Sequence, residues 1–444
     1  MNARVKEKEM LSAFHEKVKK IIEEKERFIR KREETMIGLE SEIGVFDLRH
    51  TESEMLFVRD AIVKRVGNEG ADVELGAFQL ELRTPPISVF SGGGILPLEK
   101  KYKDITAVAV EEVKKHDSSI LRCGTNPFVR IHDTPRTKKE KYTEVPNFQN
   151  IHRRKFAEMH IGINGPNVDI GDASIVSLFQ SFQVNMGACS LDDAVTLLNY
   201  ALMTGPYLVG IGGNSRYLEC TDTGINDVRI LAWEASHDTR TAHDVMRGTK
   251  TRIGLPERYF LNIEDYFGRV ARYPFILHNP EFAMQVGIGL HWLDTRIKII
   301  GDAAVVEFRM LPTQPQSADE ISFALAFIGR LLYAVDNKEE LLPFELVKEN
   351  RLSALLYGTR GNVWIRDGGL LKRVPIDEAI EIEIARAIQG LCSIGIDECD
   401  RLGEFIARYK KNSPSEILAR ALSGKKYPER EELWNALVST RMVQ

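Results

Sequence analysis

The sequence predicts an α+β fold, an antiparallel sheet with helices mostly on one face. Two observations carry that expectation. Several short segments alternate apolar and polar residues at the period of a half-buried strand. Helical stretches interrupt them irregularly, so the regular βαβ series of a parallel sheet does not emerge. The 444 residues suffice for a large core, and 43% hydrophobic with 28% charged residues is an ordinary globular composition. Residues 1–35 read as an N-terminal amphipathic helix. Residues 36–444 read as one domain whose part from 336 to 444 is mostly helical.

Residues 3 to 34 are densely charged, without Gly or Pro, and Val5, Met10, Phe14, Val18, Ile21, Ile22, Phe28 and Ile29 recur at helical spacing. The expectation is a long helix docked on the body or on a second subunit, which is compatible with a homo-oligomer. Its mixed Glu and Lys argue against a membrane-surface helix. The first strand begins at Met36, residues 51–66 are helical, and residues 78–84 form a strand ending at Thr84-Pro85-Pro86. Ser91-Gly92-Gly93-Gly94 reads as a plain loop, because no GK[ST] follows it. Residues 125–160 are polar and basic, and within them Arg136-Thr137-Lys138-Lys139-Glu140-Lys141 reads as an exposed loop, with a lid over phosphate or substrate as the alternative. Ser190 opens a helix of about 14 residues. Ser317-Ala318-Asp319-Glu320 has a capping-box pattern at the start of a helix reaching Val335. Residues 376–389 and 397–410 are further helices, and Ser413-Pro414-Ser415-Glu416 sets Ser at the N-cap, Pro at N1 and Glu at N3.

The formal net charge of −4 gives no reason to expect nucleic acid as a partner. No apolar run reaches the ~18 residues of a membrane span, and the charged N-terminus lacks the apolar core of a signal peptide. Five scattered cysteines without a CxxC pair read as reduced thiols in a cytoplasm. The histidines show no zinc spacing, and no GxSxG is present.

Four strand-like segments share a sharper signature. Glu40 and Glu42, Gln79 and Glu81, Gln183 and Asn185, and Glu307 and Arg309 each stand two residues apart, with mostly apolar neighbours. Residues i and i+2 of a strand share a face. Like charges facing each other across a sheet repel, so Glu40, Glu42, Glu81 and Glu307 on one face require something cationic. Hard oxygen ligands select Mg²⁺ or Mn²⁺. With Arg309 beside Glu307, such a face suits a nucleoside triphosphate, its metals on carboxylates and an Arg on the transferring phosphoryl group. Arg229, flanked by Val228, Ile230 and Leu231, reads as a strand Arg that needs a carboxylate or phosphate partner. Asn214-Ser215 reads either as a turn or as part of a substrate-recognition cluster.

These motifs, in order, resemble the carboxylate–amine ligase superfamily that contains glutamate–cysteine ligases and is related to glutamine synthetase. The matching segments are Gly38-Leu39-Glu40-Ser41-Glu42 with Asp47; Glu74, Gln79, Glu81 and Thr84; Gln183-Val184-Asn185; Asn214-Ser215 with Gly224 and Arg229; and Glu307-Phe308-Arg309 with Thr313-Gln314-Pro315. The resemblance implies a curved antiparallel sheet forming an active-site funnel with helices outside. It implies ATP, glutamate and an amine, cysteine foremost, joined through an acyl phosphate, as in glutathione biosynthesis. It implies Glu40, Glu42, Glu81, Glu307 and Glu74 as metal ligands, Glu74 being opposite in parity to Glu81 along an unbroken strand. Arg309 and Arg229 are the implied catalytic residues, and Gln79, Gln183, Asn185, Asn214 and Ser215 the implied substrate and ATP contacts. The chain departs from the family where Asn185 replaces a frequent His, where Arg216 follows Ser215 in place of Pro, and where Leu311-Pro312-Thr313 lacks the Asp of D-x-Q-P. A different amine is one alternative. A guanidino-kinase-like phosphotransferase is another, although such enzymes lean on arginines rather than a carboxylate-lined face. A binding protein that kept the fold should have lost its costly facing carboxylates first.

Overall fold

The computed structural model describes residues 3–90, 94–133, 135–153, 160–163 and 167–444. Ser91, Gly92 and Gly93 of the expected glycine loop lie outside these residues. The central sheet has seven strands, paired antiparallel throughout. In chain order they are β1 (Ile37–Val45), β2 (Ala71–Val73), β3 (Gln79–Arg83), β4 (Ile120–Leu121), β5 (Phe182–Gly187), β6 (Thr295–Ile300) and β7 (Ala303–Phe308). They lie side by side as β6-β7-β5-β1-β3-β2, with β4 beside β1. One face buries Ile37, Leu39, Val184, Val306 and Phe308 in the main core, under helices Leu191–Gly212 and Ser317–Asp336. Alternation turns the polar pairs to the other face.

The N-terminal helix, α1 (Ala3–Glu23), is shorter than its periodicity predicts. Beyond it the chain turns through single 3-10 turns at Lys25–Phe28 and Arg32–Glu34, because Arg27 and Arg30 reach Asp302 and the Arg30 amide donates to the Cys189 carbonyl. Met10 and Phe14 are buried, and the Phe14 ring lies 5.6 Å from that of Phe275, so α1 docks on its own body. Two further helices follow in sequence, α2 (Glu52–Val66) and α3 (Leu96–Lys115). The expected loop at 125–160 contains α4 (Glu140–His152). Pro146 disguises this helix, but Tyr142, Val145 and Gln149 bury one side of it.

Helix α5 begins as expected, the Ser190 side chain accepting from the Asp193 amide at 3.0 Å, but runs 22 residues to Gly212. Gly205 lets it approach the sheet closely, since a Cβ there would lie 2.7 Å from the Phe308 ring. Contrary to the composition argument, α5 is long and apolar enough to cross a membrane, yet 89% of its apolar window is buried inside the protein. The capping box expected at Ser317 does not form. Gln316 is the N-cap, and Glu320 instead sits fully buried behind the sheet. There Ser41 Oγ donates to Glu320 Oε1 at 3.0 Å, while Tyr102 and Arg122 pair with Oε2. This explains Ser41, the one polar residue of β1 on the apolar face. The box at Ser413–Glu416 does form.

Removing Glu320 would leave Arg122 charged and wholly buried without its carboxylate. Glu320→Ala should therefore lower unfolding free energy by about 3–5 kcal/mol in a denaturant titration. A loss below ~0.5 kcal/mol would show that the pair does not anchor β1.

Candidate active site

Strand register brings the four pairs onto one face. Arg296 of β6 stands opposite Glu307 of β7, which stands opposite Asn185 of β5. Gln183 faces Glu40, and Glu42 faces Glu81 across β1 and β3. They floor a cavity of about 590 Å³ that also contains Glu74, Arg229 and Arg309. Asn185 sits at its margin. It donates to Glu40 Oε1 at 3.1 Å, accepts from Lys298 Nζ at 3.3 Å, and lines a smaller adjoining cavity of about 240 Å³.

The two ends of this floor differ in charge balance. At the β7 end Glu307 pairs with Arg296 and Lys298 and with Arg309 Nη1 at 2.9 Å. Burial disfavours its charge, but Arg296, Arg309 and Lys298 together hold its carboxyl well below the usual range. Glu307, expected as a metal ligand, is thus already surrounded by cations. In this structure it orients Arg309, whose Nη1 also donates to Gln183 Oε1 at 2.7 Å. At the other end compensation is weaker: among the described residues no cation forms an ion pair with Glu42 or Glu74, and Arg309 and Arg229 act on Glu42, and Lys141 on Glu74, only through space. Burial, reinforced by Glu74, pushes Glu42 up to about 7. Burial raises Glu74, and burial with the charges of Glu40, Glu74 and Glu42 raises Glu81 further. Arg83, at 3.4 Å, gives Glu81 only a long contact. Facing oxygen donors with unmatched negative charge fit a hard divalent cation. Among the described residues no three acidic or histidine side chains yet converge on one point as finished ligands.

The parity objection to Glu74 disappears, because β2 and β3 form a hairpin rather than one strand, and Glu74 lies in its turn. Arg229 is not on a strand. It belongs to α6 (Val228–Ser236), where burial lowers its pKa. One of its Nη atoms donates to the Met310 carbonyl at 2.6 Å, and its Nε has no partner. Among the described residues no carboxylate forms an ion pair with it. Three expected contacts are structural instead. Asn214 donates to the Arg122 and Thr313 carbonyls beneath the cavity, and Ser215 Oγ donates to Asp227 at 2.7 Å and accepts from the Arg229 amide. Gln79 touches the cavity, but its amide is spent on the Gly76 amide and the Phe179 carbonyl.

Sequence reasoning reached little of the rest of the wall, touching only Lys141, as the end of a segment read as an exposed loop or a lid. Lys141 and Tyr142 of α4 face the cavity, Tyr142 donating to Glu74 at 3.3 Å. Arg296-Ile297-Lys298 is a fifth polar pair with the same i, i+2 signature. Arg229, Trp233 and His237 recur every four residues, so α6 and its C-cap present them in a row to the cavity. The opposite side of α6 carries Glu234, which Arg351 joins to Asp294.

A carboxyl raised on folding binds protons that the unfolded chain has released, so its contribution is lost as pH rises from its ordinary value through its folded one. With divalent cations chelated, the Glu42 carboxyl should make thermal stability fall between about pH 4.5 and about 7, by up to ~1.4 kcal/mol per unit. Glu42→Gln should flatten that slope, and millimolar Mg²⁺ should restore stability more at pH 8 than at pH 5.5. Unfolding scans across pH that show no slope would remove the uncompensated cluster.

Comparison with known proteins follows the same lines. The sequence model of glutamate–cysteine ligase family 2 matches residues 36–421. A curated protein of Gloeobacter violaceus, named "Putative glutamate--cysteine ligase 2", is 24% identical over 268 residues, or 59% of this chain. The match covers 60% of that protein, less than two thirds of its length. Among solved structures, the glutamate–cysteine ligase of Francisella tularensis in complex with AMP aligns with a TM-score of 0.53 at 13% identity, covering 93% of this chain and 89% of that one. A bifunctional glutathione synthetase from Pasteurella multocida aligns at 0.52 and 12% identity, covering 92% of this chain and 52% of that one. These two share the α+β fold. Matched over all but its ends, the chain belongs to glutamate–cysteine ligase family 2.

Proposed function

We propose that the protein is an ATP-dependent carboxylate–amine ligase that forms a γ-glutamyl amide through an acyl phosphate. The uncompensated cluster of Glu42, Glu74 and Glu81, in one cavity with Arg229 and Arg309, carries this reading. These three with Glu40 would hold Mg²⁺ or Mn²⁺, which when bound supplies charge neutralisation for the triphosphate. Arg309, aimed by Glu307 and Gln183, donates to the oxygens of the phosphoryl group in transfer. Arg229, whose buried guanidinium bonds only backbone carbonyls and leaves Nε free among the described residues, binds a substrate carboxylate or phosphate.

In the first step a γ-carboxylate oxygen of glutamate attacks the terminal phosphorus of ATP, and ADP leaves. In the second, the amine nitrogen attacks the acyl carbon, phosphate leaves, and the nitrogen loses its proton. The AMP in the Francisella ligase supports an adenine nucleotide, and the names of the relatives support glutamate, with cysteine as the reference amine. A carboxylate-rich floor suits this chemistry better than phosphoryl transfer to a guanidine.

Purified protein with ATP, Mg²⁺, glutamate and an amine panel should release ADP only when both co-substrates are present, with a γ-glutamyl product by mass. A phosphorylated product without amide would favour a kinase, and ATP binding without turnover a binding protein. Glu42→Gln should lower kcat at least ~100-fold with its fold intact by circular dichroism. Undiminished turnover in that variant would sink the assignment of the cluster.

A further inference from the structure

The cavity is chemically divided. Its floor is carboxylate and guanidinium, but the wall beyond Arg229 is aromatic and aliphatic. Trp233 and Trp292 lie with ring centroids 5.7 Å apart at 41°, and the His237 ring meets Trp292 edge-on at 6.0 Å. Val286 and Leu290 line the same cavity. His237 adds no charge to this wall, because burial and then Arg252 push its pKa down to about 3. Its Nδ1 is engaged by Ser236 at 2.8 Å.

Arg229 sits at the sheet end of α6, bonded to the Met310 carbonyl, and Trp233 follows one turn later, about 6 Å along the axis. A ligand with its anionic group on Arg229 has the Glu42 and Arg309 floor on one side and the indole on the other, so its polar remainder can face the floor while an apolar part lies along the ring. The spacing suits an α-amino acid, with its carboxylate on the guanidinium and its side chain on the ring. A large apolar side chain covers the wall, whereas a one-carbon thiol leaves most of it uncovered.

We propose that the amine substrate is an amino acid with a large apolar or aromatic side chain, bound by Arg229 through its carboxylate and by the Trp233–Trp292 wall through its side chain. This rests on the ligase reading above and names its second substrate. Each added methylene on such a wall is worth roughly 10-fold or more in kcat/KM. Phenylalanine and leucine should thus exceed alanine and cysteine by at least ~10-fold.

The test uses the full chain with Mg²⁺, ATP and glutamate, and measures kcat/KM for phenylalanine, leucine, alanine, cysteine and phenethylamine. Phenethylamine, which lacks the carboxylate, should fall at least ~10-fold below phenylalanine. Trp233→Ala should lose at least ~10-fold more with phenylalanine than with alanine. ADP release that is fastest with cysteine or alanine would overturn this proposal while leaving the ligase reading in place. Trp233→Ala that raises the KM for ATP with the amine ranking unchanged would assign the wall to the nucleobase and overturn it too. No ADP release with any amine would overturn the ligase reading, and this proposal with it. The wild-type ranking decides the matter even if the variant fails to fold.

Discussion

Everything in this protein is arranged around like charges that share one sheet face. Five carboxylates, Glu40, Glu42, Glu74, Glu81 and Glu307, open into one cavity. Mutual repulsion at such distances opposes folding unless charge is balanced or protons are retained. The protein uses both solutions, at opposite ends of the floor. Glu307 is balanced by Arg296, Lys298 and Arg309, while Glu42, Glu74 and Glu81 remain in excess and hold protons more tightly.

That asymmetry gives the site a direction. The balanced end is rigid, its guanidinium held by Glu307 and Gln183. The unbalanced end keeps the excess negative charge. The strain of assembling it is borne by the opposite face, where Val184, Val306 and Phe308 pack under α5 and where Ser41, Tyr102 and Arg122 converge on Glu320. The buried pair behind β1 and the cavity-facing pair on it are thus two sides of one strand. Glu40 and Glu42 keep their positions because Leu39, Ser41 and Ile43 are held.

The floor could be read from the sequence because a strand's period of two is short and local. Four segments were enough to place Glu40, Glu42, Glu81, Gln183 and Glu307 together, and the same rule applied to Arg296 and Lys298 would have found their partners. Features set by long-range packing were not readable in this way. Glu74 needed the β2–β3 hairpin, which no parity rule along one strand reveals. Arg229 looked like a strand residue because Val228, Ile230 and Leu231 flank it with apolar side chains, and so short a helix shows little more than two turns of its period. Glu320 imitated a capping box, yet a partner 198 residues away took it into the core. α4 hid behind Pro146, and α5 outran its local signals because Gly205 and Gly210 serve close packing, on Phe308 of the sheet and on Ile376, rather than ending the helix.

The two sides of α6 have separate duties. Its cavity side carries Arg229 and Trp233, while behind it Glu234 is clasped by Arg351, which also grips Asp294, whose carbonyl receives the Arg309 amide. The brace that registers the helix against the sheet therefore shares no side chain with the aromatic wall of the cavity. Such a partition lets inheritance work on the two independently. Substitutions at positions 233, 237 or 292 can accumulate in a lineage without unseating the charged floor. Under the proposed ligase reading, a descendant can change its amine while the charged floor stays as it is.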